Sequence, residues 1–384
     1  MSFARSRRSA DQLAAARATL ANDILVKTRT KLTIAIGSLL LLAAIIKVAT
    51  SGDPNARHVN VADSPSAAAS DISPIGSTPR AADSGGRSAD LSAASDARAE
   101  DGANAVIVRA KWGSSKNELG HERLQEGNAE GPASFIAGAD GSISVLDQVN
   151  RRVVRYDAKG RVTSVADAPA TAQDLAYAKD GSAALLDRLG TKTITLLDPS
   201  GKKTGELSLE RSKAGDPGLV TGVFVDGKDV YVEKEHGALV QIGTIDGKPA
   251  DEGAQLAGRP SRDGTLLLHA SLANGAVLLN AMDRKTASLR FARSIPFARP
   301  LRGIVLLDSD ARGTIYLGAS AGRPNEAQIV CAEPTEGRVI GRVVLPLSAV
   351  PEESFRDFSV ADDGTIVFAV RTDEGVTYSS ARCP

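Results

Sequence analysis

An acidic-Gly turn followed by an alternating apolar strand recurs through the C-terminal part of the chain. Asp-Gly supplies the positive φ angles that a tight hairpin turn needs. The turn occurs in full at Asp140-Gly141, Asp180-Gly181, Asp226-Gly227, Asp263-Gly264 and Asp363-Gly364, and in a looser form at Asp310-Ala311-Arg312-Gly313. The six glycines lie 40, 46, 37, 49 and 51 residues apart. A period of about 45 residues with several strands per unit predicts the blades of a β-propeller.

The strands after these turns alternate apolar and polar residues, as half-buried strands do. Ile143 and Val145 share one face of such a strand, and so do Ile315 and Leu317. Residues 105–384 show no sustained helical periodicity, and frequent Gly suits many short strands joined by tight turns. The predicted fold class is therefore all-β, with six blades over residues 105–384.

The two ends of this region complement each other. The last unit, 354–384, is short by one strand, whereas 105–112 forms an orphan strand upstream of the first full unit. Placing 105–112 outermost in the last blade joins the ends of the ring and removes exposed sheet edges. We therefore expect the first and last segments of the propeller to share one blade.

The first unit carries a more specific pattern. From Pro132 to Gly160 it reads PASFIAGADGSISVLDQVNRRVVRYDAKG. This order of Pro, apolar strand, acidic-Gly turn, strand ending in Asp, Asn-x-Arg-Val, aromatic, Asp and Gly resembles the NHL repeat, most clearly over 131–162. The second unit keeps part of the pattern, and later units keep only the turn and the strands. The resemblance implies an NHL-like propeller blade in which four residues have structural roles: Asp147, Asn150, Arg152 and Asp187.

An uncharged apolar run precedes the propeller. Residues 32–49 contain a single charge, Lys47, and are near the lower length limit for a membrane-spanning helix. Segment 1–31 holds seven Lys and Arg residues against two Asp residues, so the positive-inside rule places it in the cytoplasm. We expect an uncleaved single-pass anchor in a bacterial inner membrane with the propeller in the periplasm. The alternative is a cleaved secretory signal, for which a 31-residue leading segment is unusually long.

Residues 50–104 differ in composition from both neighbours. They contain no Phe, Trp, Tyr or Lys and only five large aliphatic side chains. So few apolar groups cannot offset the chain entropy lost on folding, which predicts a disordered linker. Its typical end-to-end span is about 40 Å.

The chain has two cysteines, Cys331 and Cys383. In an oxidising compartment such a pair is a disulfide candidate, and the alternative is two buried free thiols.

No group of residues commits the propeller to catalysis. The histidines His121, His236 and His269 lie in separate units without metal-ligand spacing, and no motif connects carboxylates such as Glu210, Asp216 and Glu233. We predict no catalytic, metal or cofactor residues. Two polar loops, 113–131 and the insertion around 323–326, are candidates either for a ligand surface or for solvated connections.

The charge balance argues against one class of partner. Lys and Arg number 46, as do Asp and Glu, so bulk charge does not point to nucleic acid. The leading hypothesis is a membrane-tethered module, anchored by 32–49, that binds a protein, peptide or glycan in the cell envelope or serves as a scaffold there. The alternative is a metal-dependent hydrolase or lyase with its site in the central channel.

Overall fold

The computed structural model describes residues 105–123, 126, 128–349 and 354–384. The predicted segments 1–31, 32–49 and 50–104 lie outside these residues. Within the part of the chain that is described, no helix is long and apolar enough to span a membrane.

The described residues form six four-stranded antiparallel sheets, as the all-β six-bladed prediction requires. Blade 1 comprises β2 (Ser134–Ala137), β3 (Ile143–Asp147), β4 (Arg152–Tyr156) and β5 (Val162–Asp167). Blade 2 comprises β6 (Asp174–Tyr177), β7 (Ala183–Asp187), β8 (Thr193–Leu197) and β9 (Lys203–Ser208). A single 3-10 turn, Pro217–Leu219, leads into blade 3, which comprises β10 (Val220–Asp226), β11 (Asp229–Lys234), β12 (Leu239–Thr244) and β13 (Gln255–Leu256).

The second half of the ring is built in the same way. Blade 4 comprises β14 (Arg259–Pro260), β15 (Leu266–Ala273), β16 (Ala276–Asp283) and β17 (Leu289–Pro296). Blade 5 comprises β18 (Leu301–Ser309), β19 (Ile315–Ala321), β20 (Glu326–Ala332) and β21 (Val339–Pro346). Blade 6 comprises β22 (Phe358–Val360), β23 (Ile366–Thr372), β24 (Gly375–Ala381) and, as its outermost strand, β1 (Ala105–Lys111).

The recurring Asp-Gly turns have a common local chemistry. In four of them the Asp carboxylate accepts a hydrogen bond from the backbone N–H two residues later, at Ser142, Ser182, Thr265 and Thr365. The intervening glycine adopts a positive φ, for example 75° at Gly264, which an L side chain rarely adopts. Each turn thus connects the innermost strand of a blade to the next strand.

The predicted closure of the ring is confirmed. Strand β1 pairs antiparallel with β24, from Ala105 opposite Ser380 to Lys111 opposite Gly375. Its inward residues Val108 and Ala110 are 3% and 4% exposed and join the hydrophobic core shared by blades 6 and 1. A Cβ at Gly375 would collide with the carbonyl oxygen of Ala110, so glycine permits this close approach.

Blades 4 and 5 are larger than blades 1 and 2. Their three outer strands are seven or eight residues long, whereas the corresponding strands of blades 1 and 2 have five or six. The 49- and 51-residue spacings of the turn glycines reflect this extra length. The hairpins at Asn274-Gly275 and at 322–325 therefore extend further than the equivalent turns of the smaller blades.

Placing an aspartate at position 108 tests the closure. Val108→Asp buries an unpaired carboxylate in the core between the first and last blades, and we expect a loss of about 3 kcal/mol or more in unfolding free energy. Val106→Asp is the matched control, because Val106 on the same strand is 43% exposed. Deleting 105–112 should lower the melting temperature sharply. Equal denaturation midpoints for the two point variants, or an unchanged melting temperature after the deletion, would refute the closure.

Candidate functional site

The centre of the ring is occupied by charged side chains. Asp174 begins the innermost strand of blade 2, and Arg356 lies two residues before the innermost strand of blade 6. The Arg356 guanidinium donates from Nε to Oδ1 of Asp174 at 2.8 Å and from Nη2 to Oδ2 at 2.9 Å. The Asp174 side chain is 1% exposed. This bidentate ion pair therefore joins the inner ends of blades 2 and 6 in a shielded position, where such pairs are geometrically specific.

Asp174 also binds two further blades. Its Oδ1 accepts from the hydroxyl of Ser134 in blade 1 at 2.7 Å, and its Oδ2 accepts from the backbone N–H of Val223 in blade 3 at 2.9 Å. Arg356 in turn donates to the Val223 carbonyl at 2.9 Å. One carboxylate thus connects blades 1, 2, 3 and 6.

A second ion pair joins blades 3, 4 and 5. Arg259 of blade 4 donates to both carboxylate oxygens of Glu233 in blade 3, at 2.6 and 2.9 Å, and to the Leu307 carbonyl in blade 5 at 2.9 Å. Arg259 and Arg356 both lie over the ring of Phe224, 5.0 and 5.2 Å from its centroid. Cation–π attraction therefore adds to the ion pairs in holding these side chains together.

A third arginine connects blades 4, 5 and 6 through the inner turns. Arg262 donates to Asp362 at 2.9 Å, to Asp308 at 3.2 Å and to the Ser309 carbonyl at 2.8 Å. It also donates to the carbonyl of Val360. The three arginines together contact blades 2 to 6, and the Ser134–Asp174 hydrogen bond extends the network to blade 1.

The pKa directions follow from this pairing. Burial alone would raise the pKa of Glu233, but the hydrogen bond from His236 and the Arg259 guanidinium lower it to about 2. The charge of Asp308 raises the pKa of Arg262. Burial alone would lower the pKa of Arg356, but the charges of Asp174, Asp308 and Glu233 raise it. These channel groups are therefore held in their charged forms by one another.

Sequence reasoning did not find this network. Asp174 and Arg356 are 182 positions apart, and neither belongs to a local motif. Glu233 was named only as one of several unconnected carboxylates, yet it is 2% exposed and fully engaged. No local signal distinguishes these residues, because the closed ring alone brings them together.

Three polar side chains of blade 1, those of Asp147, Asn150 and Arg152, attach a loop as well as connecting strands. Asp147 accepts from Asn150 Nδ2 and from Arg152 Nε, both at 2.9 Å, and from the backbone N–H of Gly120. Asn150 donates to the Gly113 carbonyl at 2.9 Å, and Arg152 donates to the carbonyls of Ser114, Ser115 and Glu118. These three side chains attach the segment after β1 to the first blade.

That segment forms the beginning of the polar loop 113–131. Leu119 is fully buried and forms a bridge with Trp112, whose ring stacks on His121 with centroids 4.6 Å apart. The described start of the loop is therefore packed against the propeller, which leaves less of it available as a mobile ligand surface.

Asp187 has the corresponding position in blade 2. Its carboxylate accepts from the backbone N–H groups of Gly190 and Thr191 at 2.8 and 2.9 Å, and from the Thr171 hydroxyl at 2.6 Å. Burial would raise its pKa, but these hydrogen bonds lower it. Asp187 thus organises the turn after β7 and the loop that enters the blade.

The remaining sequence candidates are dispersed. Glu210 pairs with Lys192 at 2.8 Å, and Asp216 accepts from the Gly218 N–H at the start of the 3-10 turn. His269 lies on β15 opposite Asn280. Within the described ranges, no three His, Cys, Asp or Glu side chains are arranged to hold a metal ion.

Cys331 and Cys383 are joined by a disulfide, with Cα atoms 6.5 Å apart. Cys331 lies on β20 of blade 5, and Cys383 follows the last strand of blade 6. The bond attaches the C-terminal end of the closing blade to its neighbour.

Comparisons with known proteins support the propeller fold and nothing more specific. No protein-family model matches the sequence, and no curated protein matches it significantly. Among solved structures, a gluconolactonase from Xanthomonas campestris is 15% identical, with a TM-score of 0.42 over 66% of this chain and 87% of that one. The calcium-binding protein regucalcin from Agrobacterium tumefaciens is 16% identical, with a TM-score of 0.41 over 73% and 94%. BamB from Moraxella catarrhalis is 11% identical, with a TM-score of 0.35 over 72% and 99%.

The low pKa of Glu233 predicts how stability depends on pH. A carboxyl whose pKa is depressed in the folded state stabilises the protein above its unfolded pKa, here 4.5, and loses that contribution as pH falls toward about 2. The shift corresponds to roughly 3 kcal/mol. We expect the unfolding free energy of Glu233→Gln, measured by urea titration, to depend less on pH between these two values than that of the wild type. Glu210→Gln, at an exposed pair, is the control and should change the profile much less, because water screens that pair. A profile that keeps its full slope in Glu233→Gln would show that Arg259 does not hold this carboxylate ionised.

Proposed function

We propose that this protein is a membrane-tethered β-propeller that binds a protein, peptide or glycan in the bacterial cell envelope, or scaffolds an assembly there. In this proposal residues 32–49 cross the inner membrane once, 1–31 lie in the cytoplasm and 50–104 tether an NHL-like propeller in the periplasm. The Lys and Arg asymmetry around the apolar run supports the orientation. The Asn150-x-Arg152 pattern and its contacts support the NHL-like assignment.

The proposal rests on the observation that paired charged side chains fill the centre of the ring. A metal-dependent enzyme with its site in the channel needs carboxylates that are free to bind a cation. Here Asp174 and Glu233 are each bound by a bidentate arginine, and the guanidiniums of Arg356 and Arg259 lie beside them. Two fixed positive charges disfavour a divalent cation at the same place. Recognition is therefore assigned to the outside of the disc.

The extended hairpins of blades 4 and 5 support the same conclusion. Loops held on a rigid scaffold are common sites of recognition. Leu272 is 52% exposed and lies two residues before the Asn274-Gly275 turn, at the far end of a strand that begins with three buried leucines, Leu266, Leu267 and Leu268. We therefore infer that this extended hairpin is available for a protein contact.

Metal analysis and photocrosslinking of the full-length chain together test the function. The chain purified from the membrane fraction should contain less than stoichiometric zinc and calcium, and chelation should leave its melting temperature unchanged. A photoreactive residue at Asn274 should capture an envelope component in cells, whereas one at Lys202 on the small blade 2 should not. Stoichiometric metal whose removal lowers stability would instead support the alternative hydrolase or lyase.

A further inference from the structure

The outermost strands of blades 4 and 5, β17 and β21, are unusually apolar for exposed sheet edges. Nine large hydrophobic side chains are exposed among the described residues, and four of them lie on these two strands. They are Leu289 at 61%, Val339 at 36%, Ile340 at 52% and Val344 at 50%. The two strands thus concentrate exposed apolar surface on one sector of the circumference, here called the blade 4–5 rim.

The same rim is basic. Strand β17 carries Arg290 and Arg293 and has no Asp or Glu. Strand β21 adds Arg342, and Arg338 directly precedes it. Arg290 and Arg293 follow Leu289 on β17, and Arg342 lies between Ile340 and Val344 on β21.

On β17 Arg290 pairs with Asp283, but two other rim arginines have backbone partners in place of carboxylates. Arg293 donates to the Glu336 carbonyl at 2.7 Å, and Arg342 donates to the Pro296 carbonyl at 3.1 Å. Among described residues, neither these two guanidiniums nor that of Arg338 has a carboxylate within the 4.0 Å of an ion pair. Partial desolvation lowers the pKa of Arg342, and no acidic partner counteracts it. Because the two bonds run between the blades, β17 and β21 form one continuous surface.

The outer strands of the first two blades differ in this respect. Lys203 on β9 pairs with Glu206 at 2.5 Å, and Arg161, just before β5, pairs with Asp157 at 2.7 Å. Charges on those edges are neutralised locally. Three arginines of the blade 4–5 rim, Arg293, Arg338 and Arg342, thus lack the carboxylate partners that these edges of blades 1 and 2 have.

We propose that the blade 4–5 rim docks on an anionic phospholipid surface. Arginines attract acidic headgroups, while Leu289, Ile340 and Val344 enter the boundary between headgroups and acyl chains. An acidic peptide would need pockets for alternate side chains, whereas a convex strand edge with separated cations suits a continuous anionic layer.

Docking rests on the membrane tether of the proposed function. A 55-residue linker with a span of about 40 Å keeps the propeller near the bilayer. A weak surface affinity then acts as an intramolecular equilibrium with a high effective concentration. The rim would orient the disc edge-on to the membrane and leave its two flat faces for other partners.

Hydrogen exchange of the full-length chain in lipid nanodiscs tests the proposal. One set of discs contains phosphatidylcholine alone, and the other contains one third phosphatidylglycerol. We expect the amides of β17 and β21 to exchange several-fold more slowly in the anionic discs than in the phosphatidylcholine discs, whereas those of β9 exchange equally in both. The difference should disappear in 0.5 M salt, which screens the attraction. Arg293→Gln/Arg338→Gln/Arg342→Gln should abolish it, since each arginine contributes about fivefold to the docking equilibrium. The matched control Arg161→Gln/Lys202→Gln/Lys203→Gln should behave as the wild type.

Other outcomes overturn the proposal. Equal exchange in both lipids means that the rim does not recognise anionic headgroups, and an acidic protein becomes the better partner. Self-association of the rim variant without any lipid effect means that the arginines only protect a free strand edge. If the chain does not enter nanodiscs at all, the proposed membrane tether is wrong, and flotation with phosphatidylglycerol vesicles then tests the rim separately. Co-flotation of the wild type but not of the rim variant supports docking through the rim. Absence of flotation for both proteins refutes it.

Discussion

The bond between Asp174 and Arg356 is the contact on which the centre of this propeller depends. Six blades around an axis leave a space that their inner strands cannot fill with short apolar side chains alone. Arg356 extends into this space from blade 6 and meets a carboxylate that already contacts blades 1 and 3. Because Asp174 is 1% exposed, its charge requires these partners, and the partners fix the relative positions of four blades.

Closure at the circumference and pairing at the axis therefore reinforce each other. Strand β1 removes the free edge of the last blade, and the disulfide from Cys331 to Cys383 attaches that blade to blade 5. Arg259 and Arg262 connect the remaining blades through their inner ends. With the centre occupied in this way, variation is left to the outer hairpins and strands, which is where blades 4 and 5 differ from blades 1 and 2.

The sequence predicted the parts that have a local chemical signature. Asp-Gly turns are recognisable because a hairpin needs positive φ, and the short last unit required a strand from the other end of the propeller. The pattern of Asp147, Asn150 and Arg152 is also recognisable, because its members lie close together in the sequence. Their hydrogen bonds to the segment after Gly113 could not be predicted from that spacing. The network of Asp174, Arg356 and Arg259 could not be predicted, because its members have no shared motif and meet only in the closed ring.

The most direct test of this account is a double-mutant cycle on Asp174 and Arg356, measured as unfolding free energy in urea. Removing either partner leaves a buried charge unpaired and should cost about 3–5 kcal/mol. The account predicts that Asp174→Asn/Arg356→Met shows a coupling energy of about 2 kcal/mol or more. The exposed pair Asp363 and Arg382, with side chains 55% and 61% exposed, should show less than about 1 kcal/mol. Equal, small coupling at both pairs would contradict the claim that ion pairs at the centre hold the ring together.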